Sequence, residues 1–417
     1  MVKSQAKAKG QAPLAIGPAD VEAAARRLKG AIIETACDES RTLGAMTGGR
    51  LWLKFENTQF TASFKERGAL NCLLTLPEAQ RQRGVIAMSA GNHAQGVAYH
   101  AKRLGVAATI VMPKATPTVK VRNTETHGAR VVLTGDTLDE AREAALKMAE
   151  ADRLTFIHPY DDPAVIAGQG TVAIEMLKAV PEIDLLVVPI GGGGLISGMA
   201  VAAKAINPKI RIVGVQSERN PSMALAMKGE VQSEARESLA EGIAVKSPGV
   251  LTTEIVRALV DDIIIVPEVM IELAIARLIE IEKTVAEGAG AAGLAALLHA
   301  PELGRGRNAA IPLCGGNIDT RLLASILERS LTHDGRLTQL RLALPDRPGQ
   351  LHRLAAVCAA EDANIVEIMH RRTHTVAAAK EVLVDLEVET RDHAHLSRLM
   401  DALASAGYTV RVLERAG

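Results

Sequence analysis

The chain has 417 residues, with 48 basic and 48 acidic side chains and a formal net charge of zero. That balance leaves no electrostatic footprint for nucleic acid or an anionic membrane, and an aromatic content of 2% is too low for base stacking to be the main business. Apolar runs stay strand-sized, far short of the ~20 residues of a membrane span, and the length predicts two or three domains.

Residues 1–17 carry Lys3, Lys7 and Lys9 among Ala, Gln and Gly, without the apolar centre of a signal peptide. They are expected to form a disordered tail. From about Arg50 to Ser330, short apolar runs alternate with helical patterns: Leu51–Phe55, Val85–Met88, Thr109–Met112, Arg130–Leu133, Leu185–Pro189, Ile212–Val215, Ile263–Val266 and Ala310–Leu313. Such alternation predicts an α/β fold of parallel sheets covered by helices. Ligands of these sheets sit at the carboxyl ends of strands. After a linker at His333–Arg336 the pattern changes. Gln339–Leu344 alternates, Gln350–Glu361 is helical, Asn364–His374 and Glu381–Glu389 alternate, His393–Ala406 is helical and Tyr408–Leu413 closes. The order βαββαβ predicts a ferredoxin-like domain. Cys37, Cys72, Cys314 and Cys358 lie far apart without metal-ligand spacing, which suits reduced thiols and a cytoplasmic location.

Four segments fall at expected strand ends. Ser63-Phe64-Lys65-Glu66-Arg67-Gly68 precedes a helix at Glu66–Leu76. Lys65 reads either as a surface lysine or, beside Phe64, as a partly buried amine whose pKa is lowered for attack on an aldehyde. Ser89-Ala90-Gly91-Asn92-His93 opens a helix. It reads either as an N-cap serine with a turn glycine or as a clamp for a carboxylate. Gly191-Gly192-Gly193-Gly194-Leu195 joins a strand to a helix and lacks the G-x-G-x-x-G spacing of dinucleotide sites. It reads either as a tight turn or as a phosphate cradle. Cys314-Gly315-Gly316-Asn317 follows the last strand of the α/β region.

In this order and spacing, the four segments resemble the fold-type II pyridoxal-phosphate enzymes, and among them the threonine dehydratases, over roughly residues 20–330. The resemblance implies a lyase that converts threonine, and also serine, to a 2-oxoacid and ammonia. It implies a catalytic region at 18–332, with a small subdomain at about 56–155 inserted in a larger one. Lys65 would hold the cofactor aldehyde as a Schiff base and remove the substrate Cα proton. Gly191, Gly192, Gly193, Gly194 and Leu195 would hold the phosphate. Asn92 would bond the ring hydroxyl, Phe64 and Gly242 would face the ring, and Cys314 would face its nitrogen. A neutral thiol there would leave the ring a weak electron sink, which suits β-elimination. Ser89, Ala90, Gly91, Asn92 and His93 would hold the substrate.

Asp346-Arg347-Pro348-Gly349-Gln350-Leu351, between the first strand and helix of the ferredoxin-like unit, resembles the signature of ACT domains. Those modules bind amino acids. The resemblance implies a regulatory domain at 333–417, with a branched-chain effector held at Arg347, Pro348, Gly349, Gln350 and Leu351. It also implies a place at the entry to isoleucine synthesis and a homodimer or homotetramer. Similar serine racemases have serine at the position of Ala90 and bind a metal through carboxylates where this chain has Gln216 and Ser222. Racemisation and a metal are therefore not expected, and Glu218 reads as a loop carboxylate. Cysteine synthases have threonine at the position of His93. A non-catalytic amino-acid sensor is the rival from another class, and an intact Lys65 argues against it.

Overall fold

Periodicity and glycine punctuation become fourteen strands in the computed structural model, which describes residues 14–371 and 380–413. Residues 1–13 of the expected tail and 372–374 of the expected third-to-last strand lie outside these. The strands are β1 (Cys37–Glu39), β2 (Arg50–Lys54), β3 (Val85–Met88), β4 (Ala108–Met112), β5 (Arg130–Leu133), β6 (Thr155–Phe156), β7 (Leu185–Pro189), β8 (Arg211–Ser217), β9 (Asp262–Val266), β10 (Asn308–Pro312), β11 (Leu337–Pro345), β12 (Asn364–Arg371), β13 (Glu381–Glu389) and β14 (Thr409–Val412). The chain divides into two units between Ile318 and Asp319.

The first unit holds two sheets. One has the order β1-β2-β10-β7-β8-β9, parallel except for the β1–β2 pair. The other has the order β5-β4-β3-β6 and is parallel throughout. Central strands read as unbroken apolar runs because both faces are covered; all five residues of β7 are buried. The smaller sheet has a core on each side. Ala87, Val97, Ile110 and Met112 lie in one, and Ile86, Val111, Ala141 and Ala145 in the other.

The second unit opens with the helix Thr320–His333, so the expected linker shrinks to the turn 334–336 before β11. Its antiparallel sheet has the order β12-β13-β11-β14. The buried faces of β11 (Leu340, Leu342, Leu344) and β13 (Val382, Val384, Leu386, Val388) share a core with Leu354, Cys358, Leu399 and Leu403 of the two helices. This is the ferredoxin-like arrangement that the alternation predicts.

A buried group of four charges fixes the start of the helix Lys65–Thr75. Arg67 is 0% exposed, Glu56 0% and Lys54 1%. Arg67 donates to Glu56 through Nε and Nη2, both at 2.7 Å, and to Glu175 through Nη1 at 2.6 Å and Nη2 at 2.7 Å. Lys54 donates to Glu175 at 2.6 Å. Two cations thus meet two carboxylates, and Thr35 and Thr171 complete the hydrogen bonds at 2.6 and 3.0 Å. Burial works against the charge on Glu56, but Arg67 outweighs it and holds the carboxyl below the usual range. Removing Arg67 strands Glu56 without solvent and leaves Lys54 with the half-buried Glu175. Arg67→Met should therefore lower stability by about 3–5 kcal/mol, read as a fall in the urea midpoint; an unmoved midpoint would show that the carboxylates find other partners.

Candidate active site

Lys65 is the first residue of the helix Lys65–Thr75, one position earlier than the pattern suggests. It is half-buried, its Nζ donates to Pro159 O at 2.8 Å, and it lies 5.2 Å from the centre of the Phe64 ring. Burial pulls its pKa down to about 8, against the opposing pull of Cys314 and Glu287. A measurable fraction is then a free amine near neutral pH, as nucleophilic attack on a carbonyl requires. The reading as a surface lysine is not what the structure shows.

The turn before Lys65 is held tightly. Ala62 adopts φ = 54°, uncommon for a residue with a Cβ. Its carbonyl accepts from Gly316 N at 2.9 Å, Phe64 N donates to Cys314 O at 3.0 Å, and Ser63 bridges Gly315. Glu66 accepts from Thr61 N and contacts His100 Nε2 at 3.2 Å. These bonds place Lys65 beside the loop after β10. Cys314 in that loop is 2% exposed, and burial, with Glu287 adding to it, drives its thiol well above the usual range. Cys314 is therefore neutral.

Across from Lys65, the segment His158–Asp161 reaches the glycine loop. A Cβ on Gly192 would lie 2.2 Å from the Tyr160 ring, and one on Gly191 would lie 3.0 Å from Gly242 O. Side chains at either position would displace backbone or an aromatic ring. Gly193 takes φ = 96° as N-cap of the helix Gly194–Ile206. Among the described residues, the N–H groups of Gly191 to Leu195 donate to no protein acceptor. Gly192 to Leu195 are buried. Buried donors without partners are costly, and grouped at a helix N-terminus they form a cradle for an anion.

Gly242 faces Glu287: a Cβ on it would meet Glu287 Oε1 at 3.2 Å. The same oxygen accepts from Asn92 Nδ2 at 2.7 Å, and Glu287 N donates to Gly315 O at 2.9 Å. The contacts close a ring: Lys65, Pro159–Tyr160, the glycine loop, Gly242, Glu287, Asn92, Gly315–Cys314, Phe64 and back to Lys65. Burial raises the Glu287 carboxyl to about 7.

Of the remaining segment, Ser89 directly follows β3, yet Gly91, not Ser89, is the N-cap of the helix Asn92–Arg103. The Ser89 hydroxyl instead accepts from Gly91 N at 3.2 Å, a local turn that outcompetes the cap. Ser89, Ala90, Gly91 and Asn92 are half-buried. His93 is buried and bonds Ile157 O through Nε2 at 3.0 Å; burial drops its pKa to about 3, so it stays neutral. The effector segment belongs to the second unit: Arg347, Pro348, Gly349 and Leu351 are exposed at the turn into the helix Gln350–Ala360, and Gln350 is half-buried. In that same unit a cavity of about 180 Å³ is lined by β11, β12 and β13 residues, including Arg341, Glu367 and Asp385, and not by the turn.

Sequence reasoning missed Glu287, Pro159 and Tyr160. Glu287 precedes a run of Gly and Ala, 288–293, whose smallness signals close packing on a neighbour. That signal would have pointed to it. Pyridoxal phosphate fits this ring: an amine for its aldehyde, an unpaired amide cradle for its phosphate, and a neutral thiol. Ser63 Oγ and His93 Nδ1 are also buried without a partner.

Glu287 gives a stability signature. Its folded pKa lies above the unfolded value of 4.5, so the folded state binds the proton more tightly. Its contribution is lost as pH rises from about 4.5 to about 7. Glu287→Gln in the cofactor-free protein should therefore gain on the wild type by about 3 kcal/mol between pH 4.5 and pH 8. The comparison cancels the titration of His93 and His158, common to both; a pH-independent difference would rule out a raised carboxyl.

A family profile described as pyridoxal-phosphate dependent enzyme matches residues 28–315, and an ACT-domain profile matches residues 333–412. The chain is 44% identical over 396 residues to the L-threonine ammonia-lyase of Thermotoga maritima, covering 94% of this chain and 98% of the other. Among solved structures, maize serine racemase superposes with a TM-score of 0.72 at 35% identity, covering 76% of this chain and 99% of the other. Threonine deaminase isoform 2 of Solanum lycopersicum gives a TM-score of 0.71 at 35% identity, covering 75% and 86%. No helix among the described residues is long and apolar enough to cross a membrane. With the ring of site residues and the antiparallel C-terminal unit both in place, the chain belongs to the pyridoxal-phosphate dependent enzymes, in the threonine ammonia-lyase branch that carries a C-terminal ACT domain.

Proposed function

We propose that the enzyme dehydrates and deaminates L-threonine to 2-oxobutanoate and ammonia, and L-serine to pyruvate and ammonia. The observation that carries this reading is the half-buried Lys65 amine, held on Pro159 O within one closed ring of contacts that also contains an unpaired amide cradle and a neutral thiol. When bound, pyridoxal phosphate supplies an electron sink that acidifies the substrate Cα–H. Lys65 would hold the cofactor and take that proton. Gly191 to Gly194 and Leu195 would bind the phosphate through backbone N–H groups. Asn92 would bond the ring hydroxyl, Phe64 and Gly242 would lie against the ring, and Cys314 would contact its nitrogen without protonating it. Ser89, Ala90, Gly91, Asn92 and His93 bind the substrate at the N-terminus of the helix Asn92–Arg103, where the positive end of the helix favours a carboxylate. Neutral His93 acts there through packing and its bond to Ile157, not as a base. Ala90 has no group that can move a proton, so elimination is favoured over racemisation.

Lys65→Ala should abolish turnover and the visible absorbance of the covalently held cofactor; one proton-transfer group alone is worth about 10²–10⁴-fold. A variant that keeps both would remove Lys65 from its role. A panel of threonine, serine and 3-hydroxyaspartate, read by 2-oxoacid release, ranks the substrates, with threonine expected first.

The ACT domain supports regulation by an amino acid. Our reading is a branched-chain effector, isoleucine or valine, at Arg347, Pro348, Gly349, Gln350 and Leu351. It places a homodimer or homotetramer in the cytoplasm, at the entry to isoleucine synthesis. Calorimetry on the full chain should detect isoleucine or valine binding, and the effector should shift half-saturation by threonine about 5–150-fold. No heat with any branched-chain amino acid would leave the module a purely structural one.

A further inference from the structure

Asn92 is a carboxamide, with one oxygen that accepts and one nitrogen that donates twice. Which end points where is settled by a neighbour that has no choice. Asn317 Nδ2 lies 2.8 Å from Thr61 O, a backbone carbonyl that can only accept. That end of Asn317 must therefore be the nitrogen. The same nitrogen lies 2.7 Å from the Asn92 side chain, so the Asn92 atom facing it must be the oxygen. The opposite end of Asn92 is then the nitrogen, and it meets the Glu287 carboxylate at 2.7 Å. A carboxylate accepts, so the chain of bonds is consistent from end to end: Asn317 to Thr61, Asn317 to Asn92, Asn92 to Glu287.

One donor remains over. Asn92 Nδ2 carries two N–H bonds, and among the described residues only Glu287 accepts from it. Gly315 makes room for the arrangement: a Cβ there would sit 2.4 Å from Glu287 Oε1 and 3.1 Å from Asn92 Nδ2. Glu287 itself is fixed through its backbone N–H on Gly315 O at 2.9 Å.

We propose that Asn317 and Glu287 are positioning residues which lock the Asn92 carboxamide with its remaining N–H free to donate to an anionic oxygen of the bound cofactor. This rests on the reading above that Asn92 faces the cofactor. The lock excludes the flipped amide, which would offer an oxygen to that anion and repel it. Asn317 is exposed, so the lock can be broken there without opening the core.

The test uses the full chain freed of cofactor and then titrated with pyridoxal phosphate by equilibrium dialysis, with thermal melting of each cofactor-free protein beside it. Asn317→Asp cannot donate to Thr61 O or to Asn92, and it turns the Asn92 nitrogen toward itself. Affinity for the cofactor should fall about 10–100-fold, the worth of a hydrogen bond to a charged group, and Asn92→Ala should fall by a similar factor. Adding Glu287→Gln to Asn317→Asp supplies a donor for the flipped oxygen. Measured against Glu287→Gln alone, which gains stability by itself, the double variant should match the melting temperature but not the cofactor affinity, a split that a merely structural role would not produce. Wild-type affinity in Asn317→Asp, with Asn92→Ala weakened, overturns the lock alone. Wild-type affinity in Asn92→Ala overturns the reading that Asn92 faces the cofactor. Recovery of affinity together with stability in the double variant also overturns the lock, because the flipped amide would then serve equally well.

Discussion

The buried ion group around Arg67 is the constraint on which the rest of the catalytic unit depends. It joins β2 through Lys54, the loop after it through Glu56, the helix Lys65–Thr75 through Arg67 and the helix Pro163–Ala179 through Glu175. Charges removed from water impose a directional requirement that apolar contacts do not. The guanidinium fork makes two bonds to each of the two carboxylates, which restricts the rotation as well as the position of the helix. Lys65 lies two residues away on the first turn. Its amine has little freedom left once that turn is fixed, and the remaining direction is set by Pro159 O.

Around this anchor the site is assembled from loops at strand ends, and each loop holds the next. The turn Thr61–Phe64 rests on the loop after β10, which holds Glu287, which holds Asn92. The glycine loop rests on Tyr160, whose hydroxyl donates to Ser247 O at 3.0 Å. Loops positioned by one another and by rigid sheets keep a geometry that an isolated loop would lose. The glycines are required by this mutual packing as much as by any ligand, since the space a Cβ would need at Gly192 is taken by an aromatic ring.

What could be read from the chain follows from the range of the interactions. Strand–helix alternation is local, and β3, β5, β7 and β13 fall where their apolar patterns put them. The short strands β1 and β6 were not legible, because three and two residues carry no period and owe their place to a neighbour. Lys65, Asn92, the glycine loop and Cys314 stand out because their segments are unusual in composition. Glu287 did not: a lone glutamate resembles any surface carboxylate until the fold brings Asn92, 195 positions away in sequence, within hydrogen-bond distance. Ser89 was legible as a polar residue at a strand end but not in its bonding. A cap and a turn use the same hydroxyl, and only the backbone angles choose between them.

The distribution of charge separates the parts that position from the parts that react. At the ion group, carboxylates and cations compensate each other: Arg67 holds the Glu56 carboxyl below its usual range, and the carboxylates hold the Arg67 guanidinium above its own. Inside the ring of site residues the buried groups are neutral. Cys314 is a thiol, and His93 and His158 are held uncharged by burial, with pKa values near 3 and 4. Two groups remain that change charge near neutral pH, Lys65 at about 8 and Glu287 at about 7. Each stands next to a different part of the ring, the amine at Pro159 and the carboxyl at Asn92. Loss or gain of one proton at either alters the field across the site, which for Glu287 also carries contributions from Glu241 and Lys120. Of the site groups these two are the ones that titrate near neutral pH, and the amide that lies against one of them is the point where protonation and binding geometry meet.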